Sequence, residues 1–78
     1  LPELKIYPNP SNGLVFIEFK NIEGTVTVVN QLGQTIKTAE VDYTNTLLEI
    51  DLSKQKAGVY FIHVKSTGQN FVEKVVIY

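Results

Sequence analysis

The chain has 78 residues and contains no cysteine, methionine, tryptophan or arginine. Without cysteine it has no disulfide bond and no thiolate nucleophile, although some secreted domains also lack disulfides, so no compartment is excluded. Without methionine it does not begin at its own initiator, and we expect a piece of a longer protein. Without arginine it lacks the bidentate donor that suits phosphate and guanine, and a net charge of −1 offers no attraction to nucleic acid.

Long apolar runs are also missing, and we expect no N-terminal signal peptide within these 78 residues. No run approaches the length needed to cross a bilayer. Hydrophobic residues make up 44% of the chain and charged residues 19%, which is typical of a folded globular domain rather than a disordered segment. A chain of this size forms one domain with a single modest core.

The residue types that carry catalysis are sparse. His63 is the one histidine, and its strand position predicts a polar, solvent-facing side chain without a partner nucleophile. Glu49 and Asp51 share one face of a predicted strand, but no further acidic ligand or glycine-rich loop accompanies them, so we expect a solvated pair. The sequence therefore predicts no catalytic, cofactor or metal site.

Alternation of apolar and polar residues recurs in short runs bounded by turn residues, which predicts strands. The runs cover residues 3–7, 14–20, 24–30, 34–41, 46–52, 59–66 and 70–77. Residues 53–57 are the one place where a single helical turn would fit. Seven short strands at this spacing predict an all-β fold, a seven-stranded antiparallel immunoglobulin-like β-sandwich.

Gly58 and Tyr60 open the sixth predicted strand, shortly after Leu52. This pattern is typical of the tyrosine corner of immunoglobulin-like folds, in which the hydroxyl bonds to the backbone a few residues upstream. A tyrosine that fills core volume with its hydroxyl at the rim would give the same pattern. The sequence leaves both interpretations open.

The last predicted strand is apolar on both faces apart from Glu73 and Lys74. A terminal strand often lies at a sheet edge, where unpaired backbone groups accept another strand. One interpretation is a tightly paired core strand. The other is a segment that a partner binds by strand addition, or that pairs or swaps between two copies in a homodimer.

Five short motifs follow one another along the chain. They are Tyr7-Pro8-Asn9-Pro10 closed by Gly13, Leu32-Gly33, Ile50-Asp51-Leu52-Ser53, Gly58-Val59-Tyr60, and Lys74-Val75-Val76-Ile77. In this order the chain resembles the type A C-terminal sorting domain of the type IX secretion system of Bacteroidota. It departs from the family pattern by ending on Tyr78, where many members carry basic residues.

The resemblance implies a non-catalytic secretion signal in residues 4–78, with residues 1–3 as the remnant of an upstream linker. Such a signal takes its cargo across the outer membrane to the cell surface or the medium. The implied partners are the outer-membrane translocon, shuttle proteins, a sortase and an upstream cargo domain. A sortase would cut the linker before about Leu4 and join the cargo to an anionic lipopolysaccharide.

The resemblance and the terminal strand together give a set of candidate partner-recognition residues. They are Pro8, Asn9, Pro10, Gly13, Gly58, Tyr60, Lys74, Val75, Val76, Ile77 and Tyr78.

Two rival functions remain at this stage. The aromatic residues Phe16, Phe61 and Tyr43 would suit a carbohydrate-binding or adhesion module if they formed one stacking platform. A fibronectin-like spacer without a partner of its own is the other rival.

Overall fold

The computed structural model describes residues 3–44 and 46–78 and contains seven strands and no helix within them. The strands are β1 (Glu3–Tyr7), β2 (Leu14–Lys20), β3 (Gly24–Asn30), β4 (Thr35–Val41), β5 (Leu47–Asp51), β6 (Gly58–Ser66) and β7 (Gln69–Ile77). The predicted all-β class is confirmed, and every predicted strand end lies within one residue of the observed one. A turn closed by the Gln55 N–H and the Leu52 carbonyl (3.0 Å) occupies the place considered for a helical turn. Of the predicted linker remnant, residues 1 and 2 lie outside the described residues, and Glu3 opens β1.

The strands form two sheets in which all neighbours are antiparallel. Sheet A has the order β1-β2-β5, and sheet B has the order β4-β3-β6-β7. The predicted alternation explains how the sheets meet, because the apolar positions of each strand point towards one shared core. The core side chains that are almost fully buried come from both sheets and from two connections: Val15, Ile17, Ile22, Val26, Val28, Leu52, Ile62, Val64 and Val75.

The strand order gives the molecule two different ends. The distal end carries the connections 8–13, 31–34 and 52–57, together with Tyr78. The proximal end carries the start of β1, the connections 21–23 and 67–68, and the described residues 42–44 and 46 between β4 and β5. The longest dimension is 33 Å, comparable to the roughly 30 Å that nine strand residues span. The chain therefore enters at one end, and its last residue lies at the other.

Gly24 opens β3 at the proximal end, where the strand passes very close to β6. A Cβ atom at this position would lie 1.8 Å from the Lys65 carbonyl oxygen, a backbone atom that cannot turn aside. This close approach requires glycine. It fixes how β3 and β6 start their pairing, with Gly24 opposite Ser66.

Candidate partner-recognition site at the distal end

The segment Pro8–Gly13 lies along the outer edge of the final strand. Asn9 donates from Nδ2 to the Lys74 carbonyl (2.9 Å) and accepts the Val76 N–H at Oδ1 (3.0 Å). The Ser11 N–H donates to the Val76 carbonyl (2.8 Å), and the Ser11 carbonyl accepts the Tyr78 N–H (2.9 Å). Ser11 thereby forms a parallel bridge with Ile77. The peptide bonds before Pro8 and Pro10 are cis.

These four bonds bear on the last strand, for which the sequence left two interpretations open. β7 does lie at the edge of sheet B, but Asn9 and Ser11 already bond to the Lys74 carbonyl, to both backbone groups of Val76 and to the Tyr78 N–H. The bonds end at Lys74, so the outer edge around Val72 lies beyond them; the Val72 side chain is 57% exposed. Glu73 lies on the inner-face side of β7 yet is exposed, and an inward-pointing charge on an edge strand discourages further pairing.

Ser11 holds the turn in place, although the sequence did not single it out. Its side chain is fully buried, its Oγ donates to the Leu14 carbonyl (2.7 Å), and the same atom accepts the Gly13 N–H (3.1 Å). The signal in the sequence is the serine two residues before a glycine, a common local turn in which the hydroxyl bonds to the backbone. The turn is thus held both to itself and to β7.

Gly13 joins this turn to the connection between β5 and β6. Its carbonyl accepts the Leu52 N–H (2.6 Å), and its φ of 128° lies in a region that L side chains rarely adopt. A Cβ atom there would lie 2.7 Å from Ser53 Cα. Glycine is therefore required on both conformational and steric grounds.

Tyr60 forms the tyrosine corner that the sequence left open. Its side chain is buried, and its hydroxyl donates to the Lys56 carbonyl four residues upstream (2.5 Å). Tyr60 stands opposite Val75 on β7, and Gly58 stands opposite Ile77. The structure therefore brings the motifs around residues 8–13, 58–60 and 74–78 together at the distal end.

The family model for the secretion system C-terminal sorting domain matches residues 5–78. The chain belongs to this family. It is a C-terminal sorting signal for type IX secretion, which implies export across the outer membrane to the cell surface or the extracellular space. It thus interacts with the type IX machinery and with an upstream cargo domain. Sorting domains of this kind are non-catalytic targeting tails. No curated protein matches the chain.

Exposure divides the candidate recognition residues of this sorting domain into two groups. Gly13, Tyr60, Val75 and Ile77 are buried, so their contribution is to the fold. A partner can contact the exposed residues, which are Pro8, Asn9, Pro10, Lys74 and Tyr78, and in part the half-buried Gly58 and Val76.

The aromatic residues of the sorting domain do not share one surface. Phe16 lies on the outer face of sheet A and stacks on Tyr7, with ring centroids 5.9 Å apart and an interplanar angle of 29°. Phe61 lies on the outer face of sheet B, and Tyr43 lies in a proximal connection. Because the two phenylalanines face opposite directions, the single platform required by a carbohydrate-binding module is not formed. The hydrogen bond that Tyr7 donates to the Glu18 carboxylate raises the pKa of Tyr7.

The ionisable residues within the described ranges show no cluster of three or more possible metal ligands. His63 lies on the outer face of β6, between Thr27 of β3 and Val72 of β7. The Asp51 carboxylate accepts the Ser53 N–H (2.8 Å), and hydrogen bonds from Ser53, above all from its side chain, lower the pKa of Asp51. No helix within residues 3–44 and 46–78 is long and apolar enough to cross a membrane.

Proposed function

We propose that the type IX machinery recognises this sorting domain as a folded body, at its distal end. The observation that carries the proposal is the meeting of Pro8–Gly13 with Lys74–Tyr78, two segments at opposite ends of the sequence. In an unfolded chain they form no common surface. Recognition of the pair therefore requires the fold.

The position of this end also suits the function. The cargo is joined upstream of β1, whose first residue Glu3 lies at the proximal end, so the distal end faces away from it. A rigid end remote from the cargo can be contacted in the same way whatever protein precedes the domain. Binding of surface turns that a scaffold holds in place is a common mode of recognition.

We assign the fold to the immunoglobulin-like class. Two features support the assignment: three strands (β1, β2, β5) pack on four, and a tyrosine corner opens β6. The corner pins the connection that crosses between the sheets at the distal end, and so stabilises the recognition surface indirectly.

The proposed partners are the outer-membrane translocon, a shuttle protein and a sortase. The sortase cuts the linker before about Leu4 and leaves the domain intact. Pairing of two copies is confined to the free part of the β7 edge around Val72, since Asn9 and Ser11 cover the edge from Lys74 onwards, and the charge of Glu73 keeps this pairing weak.

The proposal is tested with a periplasmic reporter fused in front of the domain in a type IX-competent bacterium. Replacement of Lys74 and Tyr78 by alanine removes two exposed side chains from the distal end, and we expect surface delivery of the reporter to fall at least tenfold. Lys20 and Tyr43 are exposed residues of the same types at the proximal end, so K20A with Y43A is the matched control. Normal delivery of the distal variant would refute recognition at this end.

Deletion of residues 74–78 abolishes delivery as well, but it is the weaker test. It removes Val75 and Ile77, which are 0% and 4% exposed, and so damages the core. The point substitutions separate loss of recognition from loss of folding.

A further inference from the structure

A groove lies at the distal end between the β3–β4 and β5–β6 connections. Residues 30–36 form one wall and residues 54–60 the other; we call it the distal groove. Its volume is about 530 Å³. Binding pockets for small ligands and short segments commonly measure roughly 300–1,000 Å³. The groove is therefore large enough to hold several atoms of a partner.

One wall presents an apolar side chain on a rigid support. Leu32 is 83% exposed, the most exposed of the large hydrophobic residues among those described. Its N–H donates to Asn30 Oδ1 (2.9 Å), which also accepts the Gln34 N–H (3.0 Å), while Asn30 Nδ2 donates to Gln34 Oε1 (2.9 Å). Backbone bonds between Asn30 and Gln34 and between Gly33 and Asn30 (both 3.0 Å) complete the turn. A leucine held in water by an ordered turn is pre-organised to contact a partner.

The other wall is basic. Lys54 and Lys56 line the groove, and no carboxylate does, although the whole chain has a net charge of −1. The Lys56 carbonyl is engaged by Tyr60, so the backbone that carries this lysine is fixed while its side chain is exposed. Ile36 in the first wall and Val59 in the second are half-buried, so part of each side chain is exposed in the groove.

We propose that the distal groove binds an extended segment of a partner protein that carries an apolar side chain next to a carboxylate. The apolar side chain contacts Leu32, Ile36 and Val59, and the carboxylate meets Lys54 and Lys56. The inference deepens the proposed function and rests on it, because it names the chemistry that completes recognition at the distal end.

The groove suits a carboxylate-bearing peptide better than an anionic sugar or a phosphate. The chain has no arginine to grip phosphate with two parallel bonds. The aromatic residue in the lining is Tyr60, which is buried and presents no open ring for a sugar to stack on. A purely polar ligand would bury little apolar surface against the exposed apolar lining. An apolar side chain of a peptide would bury that lining and gain binding free energy.

Binding is tested in solution by titrating the isotope-labelled chain with the end-blocked peptide Glu-Leu-Glu-Leu-Glu and recording amide shifts. We expect shifts confined to residues 30–36 and 54–60, an affinity that falls with added salt, and at least tenfold weaker binding by K54E with K56E. A peptide with glutamine in place of glutamate binds at least fivefold more weakly. Shifts elsewhere, or an acidic oligosaccharide that binds as well as the peptide, would overturn the proposal.

Function in the cell is tested with the reporter fusion, using Leu32→Ser with K54E and K56E. These side chains are exposed, so the core is untouched, and thermal unfolding of the purified variant checks this. The matched control, Leu47→Ser with K5E and K20E, makes the same chemical changes away from the groove. We expect the groove variant to be delivered at least tenfold less than the control.

Three results would contradict the groove proposal, and they differ in whether recognition at the distal end survives. If the groove variant is delivered normally while K74A with Y78A is not, the groove is irrelevant and distal recognition survives. If both are delivered normally, both proposals fail. Equal loss in the groove variant and its control would indicate a general charge effect and would also refute the groove.

Discussion

The two ends of the sorting domain are held together differently. At the distal end, Asn9 forms hydrogen bonds to backbone groups 65 and 67 positions away, and Tyr60 and Ser11 also bond to backbone carbonyls. At the proximal end, Gly24 packs directly against the β6 backbone, and Asp42 bonds to Thr44 two residues further along. The distal end is thus fastened by polar side chains, of which Asn9 reaches a distant segment, and the proximal end shows close backbone contact and a local turn.

The difference separates motif from contact surface. Several residues of the five motifs, such as Gly13 and Tyr60, are buried and build the distal end rather than touch a partner. The side chains available to the secretion machinery are their exposed neighbours. Each motif can therefore contain both buried residues that build the fold and exposed residues that a partner can contact. The structure is needed to tell the two kinds apart.

The largest effect is expected from Gly24→Ala at the proximal end. The new Cβ would overlap the Lys65 carbonyl, and relief requires β3 to move away from β6, at a cost of about 3 kcal/mol in the free energy of unfolding. Urea unfolding followed by circular dichroism measures this. Thr25→Ala, the adjacent control, loses one exposed hydrogen bond to Glu40 and at most about 1 kcal/mol. A Gly24→Ala variant as stable as this control would show that the close approach is not rigid.

Ser11→Ala tests the distal fastening. The change removes the acceptor of the Gly13 N–H and the donor to the Leu14 carbonyl in a buried site. We expect the free energy of unfolding to fall by about 2 kcal/mol. Ser66→Ala at the proximal end is the control and changes stability by about 0.5 kcal/mol or less. Equal stability of the two variants would contradict the contrast between the ends.

Asn9→Ala tests the bonds between the turn and β7. Two exposed side-chain bonds are lost, so we expect about 1 kcal/mol of destabilisation and roughly fivefold faster hydrogen exchange at the Val76 amide. Asn9→Asp keeps the acceptor for that amide and shows a smaller effect. Asn70→Ala, an exposed asparagine at the start of the same strand, leaves the exchange of Val76 unchanged. Unaltered exchange in Asn9→Ala would mean that the edge is protected by something else.

The smallest effect concerns pH. Hydrogen bonds with Ser53 lower the pKa of Asp51 in the folded state. The folded state is therefore stabilised, and this stabilisation is fully present above the unfolded pKa of roughly 3.9. It disappears as the pH falls through the lower, folded value. Carbon NMR titration of the carboxyl group measures the folded pKa, and Ser53→Ala raises it towards the ordinary value. A titration unchanged by this substitution would exclude the Ser53 hydroxyl as the cause.

Strands, faces and hairpins were predictable because each depends on residues close together in sequence. The alternation of Val15, Ile17 and Phe19 with the outward-facing Phe16, Glu18 and Lys20 identifies β2 and its buried face. The turn at Asn30–Gln34 follows from Gly33. The tyrosine corner was also within reach, since only four residues separate Tyr60 from its acceptor.

Contacts between distant segments were not predictable. The sequence left open whether residues 74–78 form a free edge, because nothing local to β7 indicates that Asn9 and Ser11 bond to it. The groove was missed for the same reason. Leu32 and Lys54 belong to different connections, and they face each other only because β3 and β6 are neighbours in sheet B.

The position of β7 also determines when the recognition surface at the distal end can form during synthesis. This strand leaves the ribosome after the other six, yet it provides Val75 and Ile77 for the interior and receives Asn9 and Ser11 along its edge. A polypeptide that ends before β7 therefore never forms the recognition surface at the distal end. Recognition of the folded domain, as proposed above, would therefore limit export to proteins whose translation has passed through the whole domain.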